Sequence, residues 1–416
     1  MGSILNFVFE GTDTLNGQKF NIDGHTRYLK SGFHKVITDV SLYTNTFNYS
    51  TVPGSKNIFF LELTDNIAFL DEVLDESGNN ITILDTVPIS FLNKIKKNEV
   101  HIVLACIGEA TQYDDGWFER LSNYLNSYGL NDTNLSLIDG NYNIINFKNN
   151  FKKYYSLHFL VTDHNIGTGI NDLNYLSSVP TIDEVTNITH RSKHFLSLNR
   201  VMRAHRTYFA SFVFENNLFS KFYMSLLTPT SVENYGDTFF KYKKYKEDIN
   251  NLIPLELDTT RIQWPHQGFF TGDTYYKDHY LDSYFNITTE TFFYENATFF
   301  TEKTLKPIEG LQPFITISTP YFLKTLREFG FKTFGSIWDE SYDEIEDNDI
   351  RLQTIFDLIL EISNWDLETC EKKYKSVLDI CIYNRNHLHD IYDDDEFGKI
   401  LNKIINVSKK DTRYGV

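Results

Sequence analysis

Arg200, Arg203, His205 and Arg206 crowd the stretch that follows the apolar run His194-Phe-Leu-Ser-Leu198. That run has strand length, and Tyr208, Phe209, Phe212 and Val213 then recur at helical spacing, so the cations sit where a helix leaves a sheet. Positive side chains in a first turn oppose the helix dipole. An anion held between them and the unpaired backbone N–H groups is the economical explanation. The planar fork of arginine suits phosphate in particular. Surface arginines paired with some of the many carboxylates are the plainer alternative.

A second cluster, Thr301-Glu302-Lys303, opens a short helix just after the aromatic pair Phe299-Phe300. Thr301 could cap that helix, Glu302 accept hydrogen bonds from ribose hydroxyls, and Lys303 neutralise a diphosphate. Ordinary capping accounts for the threonine and the glutamate equally well. Glu290 ends the strand Phe285-Asn-Ile-Thr-Thr289, and Glu109 follows the strand at 100–107. Carboxyl ends of parallel strands face the ligand crevice in open α/β sheets, and a carboxylate there could act as general base on an acceptor hydroxyl. Asp114-Asp115 and Asp393-Asp-Asp395 imitate metal-holding carboxylate groups, but the first pair falls where a helix cap is wanted and the second in a helical tail. No metal and no other cofactor is therefore expected. Neither a Gly-x-Gly-x-x-Gly nor a Gly-x-x-x-x-Gly-Lys occurs, so dinucleotide and P-loop readings lack their motif.

The elements that must position these residues alternate between strand and helix, which favours an α/β architecture. The clearest unit is Val100-His-Ile-Val-Leu-Ala-Cys-Ile107, then a helix whose stripe is Trp117, Phe118, Leu121, Tyr124, Leu125 and Tyr128, closed by Gly129. Segments 58–63, 142–147 and 157–162 read as further strands. From about 176 to 192 the chain turns polar and loses periodicity, which places an interdomain linker there. Beyond it come strands at 194–198, 222–227, 284–288 and 313–318. The next helix is framed by Thr319 as cap, Pro320 at its first position and Gly330 past its end. Helices near 349–363, 366–390 and 394–408 complete the chain. The expected domains are 1–185, 193–348 and a helical segment 349–416.

With 416 residues, 41% hydrophobic and 16% aromatic, including 35 Phe and 26 Tyr, the chain can bury more than one core. A formal net charge of −17 disfavours a long nucleic-acid ligand. The run Lys241-Tyr-Lys-Lys-Tyr-Lys246 is the contrary feature, since bases could stack on its tyrosines; the solvated face of a helix is the simpler reading. Three cysteines, Cys106, Cys370 and Cys381, lack zinc spacing and read as reduced thiols. No secretory leader is evident, and no stretch approaches the roughly 18 apolar residues of a membrane span. A cytoplasmic location is the expectation.

The strand ending in Glu290, followed by Phe300-Thr-Glu-Lys-Thr-Leu-Lys-Pro-Ile-Glu-Gly-Leu-Gln-Pro-Phe-Ile315, resembles the donor-site motif of the α1,3-fucosyltransferase family. There a strand ending in Phe-Glu-Asn-Ser leads to Thr-Glu-Lys, a short helix, Gly and a Pro-Val-Val strand. Phe195-Leu-Ser-Leu-Asn199 with Arg206 is similar to that family's strand and phosphate-binding arginine, and Ile107-Gly-Glu109 to its Gly-Glu loop. The block from 194 to about 349 also looks like a group of uncharacterised phage and bacterial proteins regarded as glycosyltransferases. Thr291 and Phe292 replace the family's Asn-Ser, and Pro313-Phe-Ile replaces Pro-Val-Val, so neither fucose nor guanosine follows.

The resemblance implies two Rossmann-like domains facing across a cleft, the GT-B arrangement, with a nucleotide-sugar on the second and a glycan or other hydroxyl acceptor on the first. It implies Arg206 and Lys303 on the donor diphosphate, Glu302 on the ribose, and Glu109 as base; Arg200 and Arg203, read from the residues as part of the anion site, would stand beside them. Thr301 and Glu290 join the donor site. Two other functions stay open: glycosylation of a modified base in viral DNA, and a non-catalytic nucleotide- or glycan-binding protein of the same fold.

Overall fold

The computed structural model describes residues 5–8, 18–22, 25–31, 46–48, 56–63, 73–74, 80–87, 89–106, 116–131, 133–143, 154–156, 179–199, 203–226 and 277–393. The chain forms two compact units. Unit 1 comprises Met1–His164, Asn296–Phe299 and Ile391–Val416; unit 2 comprises Asn165–Glu295 and Phe300–Asp390. Both are mixed α/β with parallel strands.

Unit 1 is built on a parallel row in the spatial order β4 (Thr46–Asn48), β1 (Leu5–Val8), β5 (Lys56–Leu63), β8 (Val100–Cys106), β9 (Leu135–Asp139) and β10 (Tyr154–Ser156). Numbered by appearance this is 2-1-3-4-5-6, a doubly wound order whose direction reverses between β1 and β5. The row reads as strands because Ile58, Phe59, Val100, Ile102, Val103, Leu135 and Leu137 are all buried, as a sheet covered by crossover helices demands. Helix α1 (Ile89–Lys96) buries Phe91, Leu92 and Ile95; α2 (Trp117–Ser127) buries Trp117, Phe118, Leu121 and Leu125. Gly129 takes φ +68° just past α2, the left-handed position that ends a helix. An antiparallel annexe, β3 (His25–Ser31), β2 (Gln18–Ile22), β6 (Val73–Leu74) and β7 (Asn80–Ile81), joins through β3, which pairs Leu29 to Ser31 with Leu63 to Leu61 of β5.

The expected strand at 142–147 is not one where it is described. Strand β9 ends at Asp139, and 141–143 turn on side-chain contacts, Asn141 N–H donating to Asp139 Oδ1 (2.7 Å) and Asn143 N–H to Asn141 Oδ1 (2.9 Å). Asp and Asn bonding to the backbone two residues on compete with a sheet ladder. The segment 157–162 lies outside the described residues. In the same unit, Tyr142 N–H donates to the Thr298 carbonyl (2.8 Å) and Thr298 N–H to Asn141 Oδ1 (3.1 Å).

Among the described residues unit 2 carries four parallel strands in the order β12 (Phe222–Leu226), β11 (Lys193–Asn199), β13 (Ser283–Thr289), β14 (Phe314–Ile317). By appearance this is 2-1-3-4, with the reversal between β11 and β13. Around the sheet stand α3 (Ile182–Asn187), α4 (Ala204–Glu215), α5 (Lys277–Leu281), α6 (Glu302–Glu309), α7 (Phe322–Glu328), α8 (Asn348–Ser363) and α9 (Leu367–Asp393). Helix α3 falls inside the stretch read as structureless; Thr181 and Glu184 close a capping box at its start, a four-residue signal that periodicity does not register.

The beginnings of the strands supply the apolar core. Phe195 stacks on Phe222 (4.6 Å) and approaches Phe285 (6.4 Å), which meets Trp338 edge-on at 5.4 Å. Helix α8 closes over α4, the Phe356 ring lying parallel to Phe212 at 4.3 Å. Helix α9 brings Tyr374 under the buried Arg191 guanidinium at 4.2 Å, and the Tyr374 hydroxyl donates to the Leu311 carbonyl at 2.9 Å. Cys370 and Cys381 on α9 are buried free thiols. Burial pushes Cys370 up to about 12 and Cys381 further in the same direction, which makes them inert filler.

Helix α7 corrects the expected cap. Its cap position is Tyr321, at φ 63°, rather than Thr319. The N–H groups of Leu323 and Lys324 donate to Asp343 Oδ1 (2.7 Å) and Oδ2 (2.8 Å), and Tyr321 N–H to the Asp343 carbonyl (2.6 Å). A carboxylate twenty residues downstream thus does what a local threonine was expected to do.

Candidate functional site

Along each strand of unit 2 the residues change from aromatic to polar. Strand β11 runs Phe195-Leu-Ser-Leu-Asn199, β12 ends Ser225-Leu226, β13 ends Thr288-Thr289 before Glu290, and β14 leads into Ser318-Thr319. These polar ends are all buried, and those of β11, β12 and β13 are bonded to one another. Ser197 Oγ donates to the Ile287 carbonyl (2.9 Å), Asn199 Nδ2 to Ser197 Oγ (3.1 Å), Asn199 N–H to Ser225 Oγ (3.1 Å), and Thr289 Oγ1 to Asn199 Oδ1. Asn199 and Thr289 therefore meet across the β11/β13 junction where the strand order reverses. In an open parallel sheet the ligand crevice lies outside the carboxyl ends of the strands at such a point.

Helix α4 starts at this junction. Its cap residue, Arg203, is extended (φ −141°, ψ 155°) and gives no side-chain cap, and its first turn has no acid. Arg206, 2% exposed, turns inward, Nη2 donating to the carbonyls of Thr289 (3.0 Å) and Glu290 (3.1 Å). His205 is as deeply buried, and its Nε2 lies 2.9 Å from the Glu290 carbonyl. Its ring lies nearly parallel to Phe293 at 5.5 Å. Burial first, then the charges of Arg206, Arg203 and Lys303, hold the imidazole well below its ordinary value. The ring is accordingly neutral at pH 7, donating from Nε2 to the carbonyl.

Helix α6 brings Lys303. Thr301 caps it, Oγ1 accepting from the Lys303 N–H and from Lys303 Nζ, both at 3.3 Å. The same hydroxyl donates to Glu290 Oε2 at 2.5 Å, and Thr304 Oγ1 donates to Glu290 Oε1 at 2.5 Å. Backbone N–H groups of Thr301 and Thr291 add bonds of 3.3 Å to the same carboxylate. The other end of α6 is held by Glu309, whose Oε1 lies 2.9 Å from His389 Nε2 and whose carbonyl accepts from Arg385 Nη2.

The structure thus brings Arg203, Arg206, Glu290, Thr301 and Lys303 together. Glu290 stands at the end of β13 as expected, but its carboxylate is fully enclosed and faces α6. Glu302 opens α6, its side chain lying outside what is described; Arg200 and Glu109 also lie outside the described residues. Sequence reasoning named Asn199 and Thr289 only as strand ends and gave Thr304 no role. The signal for Thr304 was its spacing from Thr301, three residues on and hence on the same helical face. Among the described residues no group of three or more His, Cys, Asp or Glu could hold a metal ion, and no helix is long and apolar enough to cross a membrane. Asp114, Asp115, Asp394 and Asp395 are outside those residues.

Arg351 is a useful contrast. Its five N–H groups all meet acceptors: Ser318, Ile345, Glu346 and Phe293 carbonyls and Asn348 Oδ1, at 2.6–3.2 Å. An arginine so saturated is a structural tie between loops.

No protein-family model matches the chain, and no curated protein matches it in sequence. Among solved structures, a glycosyltransferase from Rickettsia africae ESF-5 is similar over 100% of both chains, with 9% identity and a TM-score of 0.40. A likeness that slight bears on neither mechanism nor substrate. At the β11/β13 junction Arg206, Lys303, the start of α4 and a neutral imidazole stand at the polar ends of the strands.

Proposed function

We propose that this protein is a glycosyltransferase of the GT-B kind, with the nucleotide-sugar held at the carboxyl ends of β11 and β13. The observation that carries the reading is that Arg206 bonds the Glu290 carbonyl and Lys303 the threonine that holds the Glu290 carboxylate, beside the strand-order reversal of a parallel sheet, with Arg203 at the start of α4. The resemblance of this same block to the α1,3-fucosyltransferase donor motif supports it.

In this reading the donor diphosphate lies between the α4 and α6 helix starts, with Arg200 adding charge, and Glu302 accepts from the ribose. Lys303 and Arg203 stabilise the charge that grows on the diphosphate as the bond to the anomeric carbon breaks, with the buried Arg206 adding its charge from behind the strand ends, without a metal. An acceptor hydroxyl, on a glycan or another carrier, is deprotonated by Glu109 and attacks that carbon. Unit 1, with its own parallel row, supplies the acceptor side.

A thermal-shift panel of nucleoside diphosphates and nucleotide-sugars tests this, because a ligand that binds only the folded state raises its apparent stability. A rise in Tm with at least one nucleoside diphosphate is expected. No shift with any of them, in protein shown to be folded, would sink the proposal.

A further inference from the structure

Two helices that carry cations to the strand ends are fastened to one residue. The carbonyl of Glu290 receives His205 Nε2 (2.9 Å) and Arg206 Nη2 (3.1 Å) from α4. Its carboxylate receives the hydroxyls of Thr301 and Thr304 from α6, each at 2.5 Å. Glu290 and Thr304 are both 0% exposed. Neither can touch a ligand, yet both are polar side chains in an interior where an apolar pair would pack with less desolvation cost. Such a network is tolerated when it fixes a geometry, because each bond is directional and a half-satisfied set is costly.

From this we infer that Glu290 is a positioning residue for a diphosphate site. The carboxylate, through Thr301 and Thr304, sets the start of α6 and with it Lys303; the carbonyl sets the start of α4 and with it Arg206. One residue thereby fixes the spacing between the two cationic helix starts. The inference rests on the donor-site reading above and assigns Glu290 no contact with the donor. Its chemical consequence is selectivity for phosphate number. A diphosphate that spans both helix starts needs their spacing to be right, whereas a monophosphate can settle against one of them. Displacing a binding group by even an ångström weakens a bidentate contact steeply.

The test is calorimetric. GDP, UDP and the two monophosphates are titrated into the full-length protein, its Thr304→Val and Thr304→Ser variants, and Glu290→Gln. Valine keeps the volume and branching of threonine and removes only the hydroxyl; serine keeps the hydroxyl. Thr304→Val is expected to weaken the better-binding diphosphate about tenfold or more and its monophosphate by less than about threefold, with Thr304→Ser near wild type. Glu290→Gln should shift the two ligands in the same unequal way, and it carries the comparison if Thr304→Val does not fold. Equal weakening of both ligands, or a lower Tm with diphosphate affinity unchanged, would show a merely structural clasp and overturn the inference. Loss in Thr304→Ser equal to that in Thr304→Val would overturn it too, since the hydroxyl would not be responsible. If wild-type protein binds no nucleotide at all, the donor-site reading itself has failed, a result distinguishable from the others at the first titration.

Discussion

At the scale of residues, what sets this site apart is how differently its polar groups are used. Arg206 and His205 direct bonds to carbonyls of the β13 end, while Lys303 Nζ reaches back to the Thr301 hydroxyl at 3.3 Å. Replacing Lys303 leaves the bonds of Arg206 and His205 to the β13 end in place. Lys303→Ala is therefore expected to keep the Tm of the protein within a degree or two and to weaken nucleoside-diphosphate affinity by about ten- to a hundredfold, the worth of one charge-assisted hydrogen bond; titration calorimetry decides. If the protein is an enzyme, transfer activity falls with it, and a pure glycan binder would keep its glycan affinity. His205 makes a separate statement about pH. Its folded-state value lies well below the ordinary one near 6.5, so below pH 6.5 the unfolded chain takes up a proton that the folded chain refuses. Stability is fully present above that pH and is lost as the pH falls. His194, buried against the Trp365 carbonyl, acts in the same direction. Tm measured from pH 7.5 to 5.5 should fall less steeply in His205→Gln, which can still donate to the Glu290 carbonyl and does not titrate.

At the scale of elements, short helices here depend on partners far along the chain. Helix α7 borrows its cap from Asp343, and its end is fixed by Gly330 at φ +87° against α9. A Cβ at Gly330 would lie 2.6 Å from His387 Nε2, an atom that itself bonds to the Phe329 carbonyl. Gly330→Ala is expected to cost about 1–3 kcal/mol, from left-handed strain together with displacement of the imidazole, read as a lower midpoint in urea with an unchanged m-value. Element existence was legible before element detail. Strands β8, β11, β12, β13 and β14 and helices α2, α4, α6, α8 and α9 all stand within a few residues of where apolar spacing puts them. Cap identity was not legible at α7, because Thr319-Pro320 satisfies the local rule while the bond that decides comes from residue 343.

At the scale of the whole chain, the C-terminal helices belong to the core of unit 2 rather than decorating it. Helix α8 buries Leu352, Ile355, Phe356, Leu358, Ile359 and Ile362, on the order of 10 kcal/mol of apolar burial, against a total stability of about 5–15 kcal/mol for a typical domain. A chain ended after Glu346 is expected to lose the cooperative unfolding of unit 2 and all nucleotide binding, which near-ultraviolet circular dichroism and calorimetry would register together. The two units also share a topological habit. In each, the strand order begins 2-1-3-4, yet in unit 1 the β5 edge beside the reversal is paired by the antiparallel strand β3, whereas in unit 2 the corresponding strand ends carry Asn199, Thr289 and Glu290.

The sequence alone determined the α/β class, the order of the main elements and the gathering of cations at two helix starts. All of these follow from spacings of a few residues, where periodicity and the helix dipole act directly. It could not say that Arg206 points inward, that Thr304 belongs with Glu290, or that the Glu290 carboxylate is enclosed against α6. Those depend on which strands become neighbours: β11 and β13 lie more than eighty residues apart in the chain and touch only because the sheet reverses between them. Hydrogen bonds reach about 3 Å, so the partner of a buried polar group is chosen by the fold that delivers it, and only the tertiary structure made that choice visible.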